Sequence, residues 1–314
     1  MDSVLYTGPE HSLAIIKSLL GSKFVIEWTE AEAEKLYPKF RKCSVFLDAS
    51  MKVPISAAEI EEACNLKLVV TATTGANHID QNALNLKNIP LLTLKGQKEI
   101  LRNLTPAAEH SWLLLMACAR QLRGAIHHVE SGEWNRVEFP GRILKGKTIG
   151  IIGLGRIGSW MARYASAFDM KIMAYDPYLD KYPEGIIPKD LRALVESSDF
   201  ITLHVNLNEE TKGLLSANII EKFKSGCIFI NTSRGELVDE HALVEALKRD
   251  KIAVLGVDVL SDESQIELNP IWQYAQDHYN VIITPHIGGF SPEAVDKVVE
   301  FSCNRILDFF EEKK

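Results

Sequence analysis

The 314-residue sequence predicts an α/β fold of two doubly wound parallel-sheet domains, and three observations carry that prediction. Short apolar strands alternate with helical stretches along the chain, the pattern of parallel strands covered on both faces. The strand Thr148-Ile149-Gly150-Ile151-Ile152 runs into Gly153, Gly155 and Gly158, spaced G-x-G-x-x-G, and then into helix-friendly residues. The length exceeds the ~100–200 residues of one ordinary core and suits two domains.

Taken in order, residues 4–6, 24–26, 44–47, 67–71 and 90–94 read as strands, with helices near 10–20, 30–37 and 57–63 between them. This half has no glycine fingerprint, so its sheet serves another purpose. Residues 95–103 are polar and break the pattern. Thr105-Pro106 then offers an N-cap, with proline in the first turn of a long apolar helix over 107–122. Residues 129–147 read as a connection, in which Trp134 is expected to serve packing. After the fingerprint come strands at 171–175, 200–205, 227–230, 252–257 and 281–284, helices near 217–224 and 240–248, and a loop over 272–280. A last helix over 292–310 is expected to return to the first domain. The predicted domains are 1–102 plus 290–314, and 103–289.

The glycine run has a physical reading. Gly153 allows the tight turn, Gly155 lets the backbone approach a pyrophosphate, and Gly158 lets the helix press on the strand. The free N–H groups and positive end of that helix then face the phosphate. A second strand ends in Asp176, 18 residues after Gly158, where a ribose-binding carboxylate belongs. A carboxylate accepts from a ribose 2′-hydroxyl and repels a 2′-phosphate, so the expected cofactor is NAD rather than NADP. A glycine-rich turn beside a helix-capping aspartate is the bland alternative.

Composition excludes several classes. A net charge of −7 gives no electrostatic footprint for nucleic acid. The longest apolar run, residues 112–119, is far short of a membrane span, and the start lacks a basic leader. Five cysteines without a C-x-x-C pair suit reduced, buried thiols rather than a disulfide frame or a metal site. These features read as a soluble cytoplasmic protein that binds no metal.

In open parallel sheets ligands bind beyond the carboxyl ends of the strands. Three late strands end there in Arg234, in Asp258 and just before His286. Singly these residues are a surface cation, a turn residue and a loop histidine. Together they suit hydride transfer to a carbonyl: His286 supplies the proton, Arg234 grips a carboxylate at two points, and the acidic pair Asp262-Glu263 offers His286 a partner.

At these residues the chain resembles the D-isomer-specific 2-hydroxyacid dehydrogenases over nearly its whole length. The motifs are TATTGANHID at 71–80, Ala107 to His110 with the helix that follows, the fingerprint with Asp176, NTSRG at 231–235, Asp258 to Glu263, and TPHIGG at 284–289. The resemblance implies that Arg234 orients a 2-oxo acid, His286 is the acid/base, and Glu263, five residues beyond Asp258, pairs with it. Asp262 is the fallback partner. Asp258 resembles the residue that holds the nicotinamide carboxamide, and Thr74, Gly75 and Ala76 the loop whose N–H groups receive the substrate carboxylate. Arg156, Ile157, His204, Thr211, Thr232 and Gly288 complete the candidate cofactor contacts, and Lys52 the substrate contacts. The family architecture implied is a Rossmann cofactor domain inserted into a flavodoxin-like substrate domain, with a closing cleft. It also implies a homodimer through the helix after Thr105, for which an interdomain core helix is the alternative.

Ser264-Gln265-Ile266 departs from the proline usual after the glutamate. Phosphoglycerate and phosphite dehydrogenases on the same scaffold, and a dinucleotide-sensing corepressor, are the alternative functions. The acidic Asp262-Glu263 disfavours formate dehydrogenase. Lys52, Lys95, Lys98 and Arg102 raise a substrate with a second anionic group or several hydroxyls, against the simpler reading of solvated loop cations.

Overall fold

The computed structural model describes residues 1–312. The chain divides into two compact units, Met1–Leu104 together with the segment from Phe290 on, and Thr105–Gly289. Both are parallel α/β layers.

The first unit builds β1 (Ser3–Thr7), α1 (Leu13–Leu20), β2 (Val25–Thr29), α2 (Ala33–Phe40), β3 (Val45–Asp48), α3 (Ala57–Glu62), β4 (Leu68–Thr71), α4 (Gln81–Leu86), β5 (Leu91–Leu92) and α5 (Lys98–Arg102). Its strands lie in the order β2-β1-β3-β4-β5, all pairs parallel, which is the flavodoxin-like winding. Alternate residues of each strand feed opposite faces. Val4, Tyr6, Val45, Leu47, Leu68 and Val70 form one core with α1 and the last helix, and Leu5, Phe46 and Val69 form the other with α2, α3 and α4.

The second unit builds α6 (Pro106–Ala119), α7 (Leu122–Glu130), β6 (Thr148–Ile152), α8 (Arg156–Ala167), β7 (Lys171–Tyr175), β8 (Ile186–Pro188), α9 (Leu191–Ser197), β9 (Phe200–Leu203), α10 (Ala217–Ile220), β10 (Cys227–Asn231), α11 (Glu240–Lys248), β11 (Ile252–Val257), α12 (Pro270–Asp277) and β12 (Val281–Ile283). The order β12-β11-β10-β9-β6-β7-β8 is the dinucleotide-binding winding, with its switch point between β6 and β9. Ile228 and Ile230 face one core and Phe229 the other, as a fully buried strand requires. The last helix, α13 (Pro292–Glu311), belongs to the first unit, where Val295, Val299, Cys303 and Ile306 pack with Val4 and Tyr6.

Several local expectations are corrected. The helix expected over 107–122 ends at Ala119, because Gln121 takes a left-handed φ of 51° and Arg142 N–H caps the Ala119 carbonyl at 2.7 Å. The expected connection therefore begins inside α7, whose Gly124 lets Phe139 and Tyr279 approach. Trp134 does not pack: it is 89% exposed. Residues 98–102 form a short helix rather than irregular chain, and α12 occupies most of the expected 272–280 loop. Asn269 caps α12 through the N–H groups of Ile271 and Trp272, with Pro270 in its first turn. Four cysteines are buried thiols, but Cys64 is exposed.

Candidate active site

The three glycines of the fingerprint are each required for a different reason. Gly153 has φ +86°, and a Cβ there would lie 2.5 Å from the His204 carbonyl oxygen. At Gly158 a Cβ would lie 2.0 Å from the Gly153 carbonyl oxygen, so only glycine lets α8 sit on its strand. At Gly155 a Cβ meets no atom of the described residues within 4 Å. That open space lies at the N-cap of α8, where backbone donors and the helix dipole favour a phosphate.

Asp176 directly follows β7 and closes on the same turn: Oδ2 accepts Leu154 N–H at 2.9 Å and Oδ1 accepts Tyr178 N–H at 3.1 Å. Arg156 and Ile157 open α8, both half-buried, and burial lowers the pKa of Arg156. The turn, the helix end and the carboxylate fit a dinucleotide.

His204 follows β9 with its ring buried. Nε2 lies 2.6 Å from the Thr202 hydroxyl and Nδ1 has no partner among the described residues, and burial pushes the imidazole pKa down to about 3. The ring is thus neutral and turned inward, and the main chain of His204 is what faces Gly153. Thr211 Oγ1 donates to Asn206 O at 2.6 Å and stabilises the loop beyond β9. Thr232 Oγ1 meets the Ser111 hydroxyl at 2.6 Å, tying the β10 loop to α6.

The residues at the carboxyl ends of β10, β11 and β12 lie on neighbouring loops of one unit. Asn231 shapes the first: its Oδ1 accepts Ser233 N–H and its Nδ2 donates to Arg234 O. Arg234 is half-buried, and its Nη1 donates to Ser233 O at 2.6 Å. A Cβ at the adjacent Gly235 would be 2.1 Å from Ser261 N, so this loop touches the one that carries Glu263.

Asp258 is 2% exposed and organises the third loop. Oδ1 accepts the Thr284 hydroxyl at 2.5 Å and Ile287 N–H at 2.9 Å and lies 3.3 Å from His110 Nε2, while Oδ2 accepts Gly288 N–H at 2.7 Å. Burial pushes its carboxyl pKa up, but His110, Thr284 and the two N–H groups outweigh that and hold it below the ordinary carboxylate range. Gly288 is required here, since a Cβ would come within 2.8 Å of Asp258 Oδ2.

His286 sits in this loop at φ +54°, its N–H donating to Asp258 O at 2.9 Å. Its Nδ1 meets Glu263 Oε2 at 2.8 Å and Oε1 at 3.0 Å. Asp262 instead accepts from Ser264 Oγ at 2.5 Å, so Glu263 is the residue that reaches His286. Glu240 holds the acidic loop from behind, accepting Ser261 N–H at 2.8 Å and Asn269 Nδ2–H at 2.6 Å, and burial pushes its carboxyl pKa up. No role for Glu240, Asn269, Thr284 or His110 was evident from the sequence, although His110 lies in a recognised motif. A buried glutamate in an amphipathic helix gives no signal until its partners are known.

A cavity of about 950 Å³ in this unit reaches from His286, Glu263 and Asp258 past Leu113, Ile126 and Tyr279. In the first unit, Thr74 is exposed, Gly75 half-buried and Ala76 buried, in the loop after β4, and Lys52 is exposed after β3. Among the described residues no group of side chains has the makings of a metal site, and no helix is long and apolar enough to cross a membrane.

Residues 112–288 match the family model for the NAD binding domain of D-isomer specific 2-hydroxyacid dehydrogenases. The chain is 37% identical over 247 residues to a hydroxypyruvate reductase of Thermotoga maritima, an alignment covering 78% of each chain. It is 38% identical over 243 residues to a D-3-phosphoglycerate dehydrogenase of Archaeoglobus fulgidus, covering 76% of this chain and 44% of that one. The chain thus spans about half the length of the phosphoglycerate dehydrogenases it matches. Among solved structures, D-lactate dehydrogenase from Aquifex aeolicus, complexed with NAD and lactic acid, superposes with a TM-score of 0.81 at 26% identity, covering 99% of this chain and 96% of that one. The chain belongs to the D-isomer specific 2-hydroxyacid dehydrogenase family and carries its NAD-binding domain.

Proposed function

We propose that the protein interconverts a 2-oxo acid and the corresponding D-2-hydroxy acid, with NAD(H) as the hydride carrier. The observation that carries this reading is the pair of His286 and Glu263, with both carboxylate oxygens within 3.0 Å of Nδ1. NADH held at the glycine turn and Asp176 would supply the hydride for the carbonyl carbon. Glu263 accepts a hydrogen bond from Nδ1–H and fixes the ring; in reduction the doubly protonated ring gives its Nε2 proton to the carbonyl oxygen, which completes the alcohol and leaves His286 neutral. Arg234 binds the carboxylate at two points and orients the carbonyl. In oxidation the same nitrogen takes the proton back.

Thr74, Gly75 and Ala76 are proposed to offer backbone donors to the substrate carboxylate. Arg156, Ile157, Thr211, Thr232, Asp258 and Gly288 are proposed to line the cofactor, as are the glycine turn and the main chain of His204. Asp176 favours NAD over NADP.

The reading includes a homodimer. Leu113, Ile126 and Val129 on α6 and α7, with Trp134, Val137 and Ile143 beyond, are between 49% and 89% exposed. So much apolar surface in one stretch calls for a partner, and a second copy of this chain is the one proposed. The buried free thiols support the cytoplasm as its location.

A spectrophotometric panel of 2-oxo acids with NADH tests the function. It should include phosphorylated, dicarboxylic, branched and sugar-derived acids. Turnover of at least one acid, abolished by His286→Gln with NADH binding intact, is expected. Loss of NADH affinity to the same degree would make His286 structural. Stable capture of partner proteins without any turnover would favour a dinucleotide-sensing corepressor.

A further inference from the structure

In the first unit, the loops at the carboxyl edges of β3 and β4 share one carboxylate. Asp48, the last residue of β3, is 1% exposed. Its Oδ1 accepts Ser50 N–H at 2.8 Å and Ser50 Oγ–H at 2.7 Å. Its Oδ2 accepts Met51 N–H at 3.2 Å and meets His78 Nε2 at 2.7 Å. The first three contacts shape the loop after β3, where Ser50 Oγ in turn accepts Lys52 N–H at 3.3 Å. The fourth grips the loop after β4, whose His78 ring is only 9% exposed.

That second loop has a run of unused donors. The N–H groups of Thr74, Gly75, Ala76, Asn77 and His78 have no intramolecular acceptor among the described residues. Four carbonyls of this loop, by contrast, are used. Thr73 O accepts Leu94 N–H at 2.8 Å, Gly75 O accepts the Thr73 hydroxyl at 2.7 Å, Ala76 O accepts Ile79 N–H at 3.1 Å, and His78 O accepts Ile55 N–H at 2.7 Å. Consecutive free N–H groups at the carboxyl edge of a parallel sheet form an anion-binding concavity, and their worth depends on being held in place beforehand.

His78 anchors one end of the run through Nε2, while its Nδ1 is buried with no hydrogen-bond partner among the described residues.

We infer that Asp48 and His78 are positioning residues. They lock the 74–78 donor run, and with it the loop that bears Lys52, in the geometry that receives the substrate carboxylate. This rests on the 2-oxo acid reading above. Positioning of a binding loop acts on substrate affinity and leaves the chemical step largely alone, so its signature is a change in KM rather than kcat.

The test uses His78→Leu, His78→Gln and Asp48→Asn in the full chain. KM and kcat are measured with the best acid of the panel, NADH affinity by fluorescence, and oxamate binding to the NADH complex as a readout that needs no turnover. Glutamine keeps an N–H donor for Asp48, whereas leucine has none. For His78→Leu and Asp48→Asn we expect KM and the oxamate Kd to rise by ~10-fold or more, with kcat within ~3-fold and NADH affinity unchanged. His78→Gln should recover to within ~3-fold of the parent.

Unchanged KM and oxamate Kd in both of the first two variants would overturn the inference, as would a glutamine variant no better than leucine. Should His78→Leu not fold, the isosteric Asp48→Asn decides by the same two readouts. If the parent protein turns over no 2-oxo acid, the proposed function fails, while oxamate binding still reports separately on the positioning pair.

Discussion

His286 Nδ1 lies 2.8 Å from Glu263 Oε2, between side chains 23 positions apart in the chain, and this contact leaves Nε2 as the nitrogen available to a substrate. Removing the proposed acid/base by His286→Gln should lower kcat by ~10²–10⁴-fold. Glu263→Gln keeps the size but not the charge, and should lower kcat by a smaller factor with NADH affinity unchanged. Single-turnover reduction followed at the NADH absorbance checks both, and a Glu263→Gln enzyme of full activity would remove Glu263 from the mechanism.

Gly155 and Gly158 should separate under substitution. Alanine at Gly158 forces a Cβ against the Gly153 carbonyl oxygen and should cost ~1–3 kcal/mol of stability. Alanine at Gly155 meets no atom of the described residues within 4 Å, and should leave stability within ~0.5 kcal/mol while weakening NADH binding. Urea unfolding and NADH titration of the two variants test the contrast.

Asp176→Ala should weaken NADH more than NADPH, since it removes an acceptor for the ribose hydroxyl and a charge that repels a 2′-phosphate. The variant also loses the Leu154 and Tyr178 contacts, so the ratio of the two affinities is the informative quantity. An unchanged ratio would count against Asp176 as the selector.

His204 should make the fold sensitive to acid. Its folded-state pKa of about 3 lies below the ordinary value of 6.5, so on acidification the unfolded chain takes up a proton that the folded chain refuses. Its contribution is therefore full above pH 6.5 and is lost as pH falls toward 3, at up to ~1.4 kcal/mol per pH unit. Between pH 6.5 and 5, His204→Asn should show a shallower decline in unfolding free energy than the parent. Equal slopes in urea titrations would refute this.

The exposed apolar surface of α6 and α7 predicts self-association. Leu113→Asp combined with Ile126→Asp should shift a dimer to monomers in sedimentation velocity, with little effect on the monomer fold, because both side chains are about half exposed or more. A parent protein that sediments as a monomer would dispose of the dimer.

The sequence by itself determined what local chemistry encodes. The alternation of short apolar strands with helical stretches and the glycine spacing specified the parallel sheets, and each fingerprint glycine has a steric reason that its spacing alone suggests. The Asn269-Pro270 start of α12 was equally local and readable, though its loop-like surroundings concealed it. At Gln121 the sequence carries no helix breaker, so the left-handed turn that separates α6 from α7 was not legible.

Tertiary structure decided which of two adjacent acids reaches His286, how Asp258 spends both its oxygens, and that Asp48 and His78 share a buried contact across 30 positions. Such pairings depend on strand order and on the path of each loop, which bring distant residues to one sheet edge. No periodicity along the chain records them.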